Sequence, residues 1–218
     1  DTLRDFFERV RRANLALKPS KCQLGYSQVD FLGHTITGDT IQPRSEAIDK
    51  ILDAPRPTTK KQVRRLIGMA SFYRKFIPHF STVVSPLTDL TAKGCGNWGD
   101  SQQQAFDNLK QLLSQKPILK LPDLKRPIFL QTDASDTGLG AVLLQEHDGV
   151  KHPIAYASRK LLPRECNYTV GEKECLAVIW AVSSKFSRYL LDNPFILETD
   201  HRPLECLNSG NTTNKRIM

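Results

Sequence analysis

Two aspartates stand in matching contexts. Asp133 ends the largely apolar run 128–132, Asp200 ends the run 195–199, and a Thr precedes each. Glu174 lies one turn into a helical pattern spanning 169–190, just before the apolar stretch 175–182. A helix packed on a sheet can bring that carboxylate beside two strand-end aspartates. Three carboxylates at one point repel unless divalent cations neutralise them, and hard oxygen ligands favour Mg²⁺ or Mn²⁺. Two such ions about 4 Å apart activate a water and stabilise the leaving oxygen in phosphodiester cleavage. Each acid alone has a plainer account. Asp133 and Asp200 also read as strand-end turn residues, and Glu172 and Glu174 as acids favoured by a helix N-terminus. Only the constellation points to metal chemistry.

The elements that must position these groups follow from local pattern. Residues 128–132 read as a strand, and Gly138-Leu139-Gly140 as a turn into a second strand over 141–145. A third strand is expected over 154–158, the long helix over 169–190, a fourth strand over 195–199, and a helix from 203. Strands interleaved with helix make an α/β layer, whose strand ends are where ligands collect.

The first half has another grammar. Residues 2–17 place Leu3, Phe6, Phe7, Val10 and Leu17 on one helical face, stopped by Lys18-Pro19-Ser20. Strands are expected over 22–26 and 29–36, a turn at Gly38-Asp39, and a short helix opened by Pro43. Thr59 and Gln62 have capping-box spacing, and Pro78 marks the end of the helix they start. One face of that helix carries Val63, Leu66, Ile67, Ala70, Arg74 and Ile77; the other carries Lys61, Arg64, Arg65, Gly68, Phe72 and Lys75. Lys and Arg neutralise phosphates, and a glycine lets a backbone approach closely. A merely solvated charged face is the competing account. Asp100 is expected to cap a further helix, and Leu121-Pro122-Asp123 reads as a linker, with a boundary near 115–125.

Charge divides at the same place. The 218 residues carry 31 Lys+Arg and 23 Asp+Glu, a formal +8. Residues 1–120 hold 19 basic and 11 acidic side chains, while 121–218 hold 12 of each. All the basic excess lies in the first part, as a polyanion-binding half beside a half with another task predicts. Hydrophobic content of 39% excludes a disordered tail, and the longest apolar run is far short of the ~20 residues of a membrane span. Five cysteines without a Cys-x-x-Cys pair fit reduced thiols better than a disulfide framework. The chain opens Asp1-Thr2-Leu3 without Met or a leader and ends Lys215-Arg216-Ile217-Met218 without a stop signal. It is expected to be a piece of something longer.

Seven ordered motifs then carry a resemblance: Lys18-Pro19-Ser20-Lys21-Cys22, Phe31-Leu32-Gly33-His34, the run from Gly68 to Ile77, Thr132-Asp133-Ala134-Ser135, the run from Pro153 to Ser158, Glu172-Lys173-Glu174-Cys175-Leu176-Ala177, and Thr199-Asp200-His201-Arg202-Pro203-Leu204. Together they resemble the reverse transcriptase–ribonuclease H region of Ty3/gypsy-type long-terminal-repeat retrotransposons, over essentially the whole chain. The resemblance implies an α+β palm and thumb segment followed by a ribonuclease H-like α/β domain that is incomplete at its C-terminus. Residues 1–42 match the end of the palm, 43–120 the thumb and connecting helices, and 121–218 the ribonuclease H-like domain.

It also implies roles. Phe31, Leu32, Gly33 and His34 match the primer grip. Gly68 and Phe72 match a minor-groove contact, on the face that also carries Lys61, Arg64, Arg65 and Lys75. Asp133, Glu174 and Asp200 match three ribonuclease H carboxylates holding two Mg²⁺ ions. Glu174 is preferred over Glu172 because the family's glutamate stands two residues before the Leu-Ala found here as Leu176-Ala177. The implied partners are RNA–DNA hybrid, template–primer duplex and the rest of the polyprotein, with no membrane, inside the cell in a retroelement particle or the nucleus. By the same layout the polymerase Asp-Asp motif falls upstream of Asp1 and a fourth aspartate beyond Met218, so this segment alone is expected to be inactive. The competing expectations are a non-catalytic thumb plus a connection-type domain, and a decayed element copy.

Overall fold

A computed structural model describes residues 2–92, 97–191 and 193–199. Helix α1 (Thr2–Arg12) stops short of the expected 17, because Asn14 adopts the left-handed φ of 52° that ends helices. None of its residues is buried. The strand expected over 22–26 does not form: a short 3₁₀ turn at Pro19–Lys21 leads into irregular chain. The strand expected over 29–36 is instead a hairpin. Strands β1 (Gln28–Phe31) and β2 (His34–Thr37) are joined by Leu32 and Gly33, at φ 47° and 78°. Two consecutive left-handed residues make the turn whose twist matches a hairpin. The expected turn at Gly38-Asp39 leads to β3 (Thr40–Pro43), and β4 (Leu119–Lys120) completes an antiparallel sheet in the order β1-β2-β3-β4.

Between β3 and β4 run α2 (Ser45–Leu52), α3 (Lys60–Ser71), a 3₁₀ turn at Arg74–Phe76, α4 (Phe80–Val83), α5 (Ser85–Asp89) and α6 (Asp100–Ser114). Ile51, Leu66, Phe76, Leu87, Leu109 and Leu113 form their common core. The capping box at Thr59 is present in both directions, with Gln62 N–H donating to Thr59 Oγ1 at 3.2 Å. Helix α3 ends at Ser71 rather than near Pro78. The cap of α6 is Gly99, not Asp100, and the Gly99 N–H donates to Gln102 Oε1 at 3.0 Å.

The second sheet has the order β7-β6-β5-β8. Strands β5 (Ile128–Ala134), β6 (Gly138–His147) and β7 (Val150–Lys160) are antiparallel neighbours, and β8 (Phe195–Glu198) runs parallel to β5. The expected long helix is divided into α7 (Val170–Trp180), a π-type turn at Ala181–Lys185 and α8 (Ser187–Leu190). Ile128, Leu130, Leu143, Ala181 and Phe186 form the core of this sheet-and-helix layer. Asp200 and the helix expected from 203 lie outside the described residues. Among the described residues, no helix is long and apolar enough to cross a membrane.

Gly138 and Gly140 are not a turn but the start of β6, and their role is packing. A Cβ on Gly138 would stand 3.0 Å from the Arg159 carbonyl and 3.6 Å from Thr82 Oγ1; one on Gly140 would stand 3.0 Å from His79 Nδ1. The segment around α4 therefore lies directly on the sheet. Arg74 donates to the Ser158 carbonyl at 2.8 Å, Ser81 N–H to Ser158 Oγ at 2.8 Å, and Lys160 pairs with Asp89 at 2.7 Å. Helical half and sheet half are thus tied together along β7.

Candidate active site and nucleic-acid interface

Strand alternation decides where Asp133 points. Ile128, Leu130 and Thr132 are buried on one face of β5, so Gln131 and Asp133 belong to the other, more exposed face. Asp133 pairs in register with Gly140 of β6 and lines an open cleft of about 460 Å³. Pro78, His79, Gln131, Tyr156, Glu198 and Thr199 line it too. Glu174 reaches the same strand end from α7. It is buried, and its Oε1 accepts the Ala134 N–H at 3.1 Å, one residue beyond Asp133. Glu172 does something else: its Oε2 accepts the Thr169 N–H at 2.9 Å, closing the N-terminal cap of α7. The two glutamates of Glu172-Lys173-Glu174 therefore have separate tasks, one capping the helix and one facing the strand end. Lys173, between them and itself buried, pairs with Asp136 at 2.8 Å, and that bond holds the Asp136 carboxyl below its ordinary range.

The structure thus brings Asp133 and Glu174 to one strand end, while Asp200 lies outside the described residues. Among those residues, no three His, Cys, Asp or Glu side chains form a group able to hold a metal. Sequence reasoning missed two cleft residues. Glu198 shares the face with Gln131, which donates to it at 2.8 Å, and with Lys151; the Lys151 hydrogen bond, then that of Gln131, hold its carboxyl below the usual range. Their alternation along β5 and β8 could have shown this. His79 comes from the helical half, and no local pattern could have placed it here.

The expected nucleic-acid residues divide into two groups. Phe31 and Leu32 are 59% and 74% exposed at the tip of the first hairpin, and with His34, Phe72 and Lys75 they line a shallow, largely apolar hollow. Gly33 packs edge-on to Phe72: a Cβ there would be 2.9 Å from Cε1. The His34 ring stacks between Phe72 and Phe76, with centroids at 5.2 and 5.6 Å. Its Nδ1 lies 2.9 Å from the Leu32 carbonyl and donates to it, since a carbonyl only accepts. Burial, then the Lys75 charge, pushes its pKa down. Lys61, Arg64 and Arg65 sit farther up α3, all exposed. Arg64 is partly engaged, donating to the Thr91 carbonyl at 3.0 Å, and Arg65 borders a second cleft with Lys50, Asp53 and Arg56. Gly68 is exposed between the two groups, and a Cβ there would meet nothing within 4 Å. Among the described residues no contact explains a glycine at this position in a helix.

This fold and these motifs have close counterparts. Residues 98–197 match the family described as the RNase H-like domain found in reverse transcriptase. The chain carries that domain. It is 39% identical over 207 residues to the retrovirus-related Pol polyprotein from transposon 297 of Drosophila melanogaster, covering 93% of this chain and 19% of the relative. It is 38% identical over 222 residues to the Tf2-3 polyprotein of Schizosaccharomyces pombe, covering 99% of this chain and 16% of the relative. Its homologues over most of the chain are Ty3/gypsy-type retrotransposon polyproteins, and the chain spans less than a fifth of these relatives' length. Among solved structures it is similar to the foamy viral protease-reverse transcriptase dRH in complex with ds DNA, with a TM-score of 0.78 and 26% identity over 95% of this chain and 37% of that one. The foamy viral protease-reverse transcriptase in complex with RNA/DNA hybrid gives 0.71 and 25%, over 91% and 28%.

Proposed function

We propose that this chain is the segment of a retrotransposon reverse transcriptase that grips RNA–DNA hybrid and carries most of a ribonuclease H site cutting the RNA strand. The observation that carries this reading is the meeting of α7 and β5: buried Glu174 bonds the amide next to Asp133 at the mouth of an open cleft. The Glu174 carboxylate, bonded to the strand-end amide, and the exposed Asp133 carboxylate are hard oxygen donors of the kind Mg²⁺ takes. Together with Asp200 of the Thr199-Asp200 motif, they would hold two such ions. Bound there, the ions would supply a nucleophilic water at neutral pH and offset charge on the leaving oxygen.

The chain's own residues do the rest. The Phe31–Leu32 tip, Phe72 and Lys75 offer an apolar and cationic surface to a sugar–phosphate backbone, and Gly68 leaves room for a groove edge. Lys61 and Arg65 extend that surface as phosphate contacts. Recognition of this kind reads backbone shape and not sequence. A retroelement particle inside the cell is the setting this reading implies.

The test is Mg²⁺-dependent cleavage of a labelled RNA–DNA hybrid by the longer polyprotein product that contains this chain. Asp133→Asn should abolish it; full activity in that variant overturns the metal assignment. Salt-sensitive hybrid binding with no cleavage at any Mg²⁺ concentration would favour a non-catalytic, connection-type domain instead.

A further inference from the structure

His79 belongs to the helical half of the chain but forms part of the wall of the Asp133 cleft. It precedes α4 in the left-handed conformation, at φ 49° and ψ 33°, and its side chain makes no capping bond. The imidazole rests on Gly140, where a Cβ would stand 3.0 Å from Nδ1 and 3.1 Å from Cε1. Gly140 is the register partner of Asp133. A ring from one half of the molecule is therefore seated across the strand from the carboxylate of the other.

His79 is exposed, and among the described residues its imidazole makes no hydrogen bond. The charged side chains that line the cleft with it, Asp133 and Glu198, are both acidic, and Gln131 already bonds Glu198. A polyanion lying against Asp133 and Glu198 needs a donor to offset their charge, and the His79 N–H is available on the wall. The seat is built for it. Gly140 makes room for the ring, and a left-handed backbone aims it.

We propose that His79 is a substrate-binding residue of this cleft, donating a hydrogen bond to a backbone phosphate of the hybrid strand that lies beside Asp133. The proposal rests on the ribonuclease reading above and adds the thumb side's own contribution to that site. It makes the tie between the two halves part of substrate recognition: displacing α4 from β6 withdraws a substrate contact.

The experiment compares wild type, His79→Gly and Asp133→Asn in the longer polyprotein product. Hybrid binding is measured in EDTA and cleavage in Mg²⁺. Glycine keeps the left-handed backbone and removes the donor. His79→Gly should weaken binding and raise KM about tenfold, as loss of one hydrogen bond to a charged group does, with kcat little changed. A set of hybrids, each carrying one uncharged methylphosphonate, identifies the contact. Near the cleavage position one substitution should cost wild type about tenfold and cost His79→Gly nothing further. Should His79→Gly unfold, His79→Asp, also at home at positive φ, should show the same loss of coupling and weaker binding still. If the two losses multiply at every position, the His79 contact is refuted while the ribonuclease reading stands. If Asp133→Asn cleaves normally, the ribonuclease reading itself fails.

Discussion

Glu174 and Ala134 are joined by a 3.1 Å hydrogen bond from the strand amide to the helix carboxylate, and this bond sets α7 against the end of β5. The Glu174 carboxylate is thereby held by the backbone of the strand that carries Asp133. Glu174→Gln separates the structural part of this role from the chemical part. The amide oxygen can still accept from Ala134, so the melting temperature should hold within a few degrees. Hybrid cleavage should fall on the order of 100-fold through loss of a metal-binding charge. Circular dichroism melting beside a Mg²⁺ cleavage assay checks it; unchanged cleavage argues against Glu174 as a ligand.

Gly68 predicts opposite signs for stability and binding. Among the described residues nothing would meet a Cβ at that glycine, so Gly68→Ala should stabilise the fold by roughly 0.5–1 kcal/mol through better helix propensity. The added methyl should hinder close approach of a nucleic-acid groove and weaken hybrid binding several-fold. Urea denaturation and a binding titration on the same variant give both numbers.

Gly33 is constrained twice, by φ of 78° and by Phe72 at 2.9 Å from a would-be Cβ. Gly33→Ala should cost about 1–2 kcal/mol from left-handed strain, plus whatever Phe72 must move. Because Phe72 is also part of the exposed hollow, binding should weaken in parallel. A variant as stable as wild type would refute the close packing of hairpin tip on helix end.

The basic face of α3 is not uniform. Arg64 spends part of its donor capacity on the Thr91 carbonyl, whereas Lys61 and Arg65 make no hydrogen bond or ion pair among the described residues. The double variant Lys61→Ala, Arg65→Ala should lower the magnitude of the log affinity against log salt slope by roughly 2 and leave stability unchanged. Arg64→Ala should lower both. An unaltered slope in the double variant removes these side chains from the interface.

Arg159 and Glu165 form a bidentate pair at 2.6 and 3.2 Å, with their side chains 25% and 7% exposed. Arg159 also lies over the Trp180 ring at 5.7 Å, so the pair pins the loop after β7 to α7. Arg159→Met strands a buried carboxylate and should cost about 2 kcal/mol, below the ~3–5 of a fully buried pair because Arg159 is partly solvated. The Arg159 hydrogen bond holds the Glu165 pKa below its ordinary value. A depressed folded-state pKa gives stability present above the unfolded value, near 4.5, and lost as pH falls through the folded value. Denaturation midpoints from pH 7 to 3 should therefore fall less steeply at the acid end in Arg159→Met.

Much of the site could be read in advance, because its signals are local. Thr59 and Gln62 announce a helix start, and Thr169 with Glu172 forms another capping box. Asp133 and Glu174 each sit at a predictable point of their own element. The misreadings share one cause. Gly138-Leu139-Gly140 looks like a turn because glycine is common in turns, yet here both glycines lie under side chains of a distant segment. Residues 29–36 look like one strand because Leu32 is apolar, but Leu32 takes a left-handed turn and Gly33 fits beneath Phe72. The stretch 22–26 has strand character but pairs with no strand among the described residues.

By itself the sequence determined most of the elements, the helix starts at Thr59 and Thr169, the division of charge and the candidate acids. These follow from side-chain periodicity and capping, which act within a few residues. Only the tertiary structure decided that Phe31 and Leu32 share a hollow with Phe72 and Lys75, that Glu172 caps while Glu174 reaches β5, and that His79 stands over Gly140 opposite Asp133. Those relationships join residues far apart in the chain. They arise from packing one layer on another, where a missing Cβ or a buried carboxylate counts only against the surface that meets it.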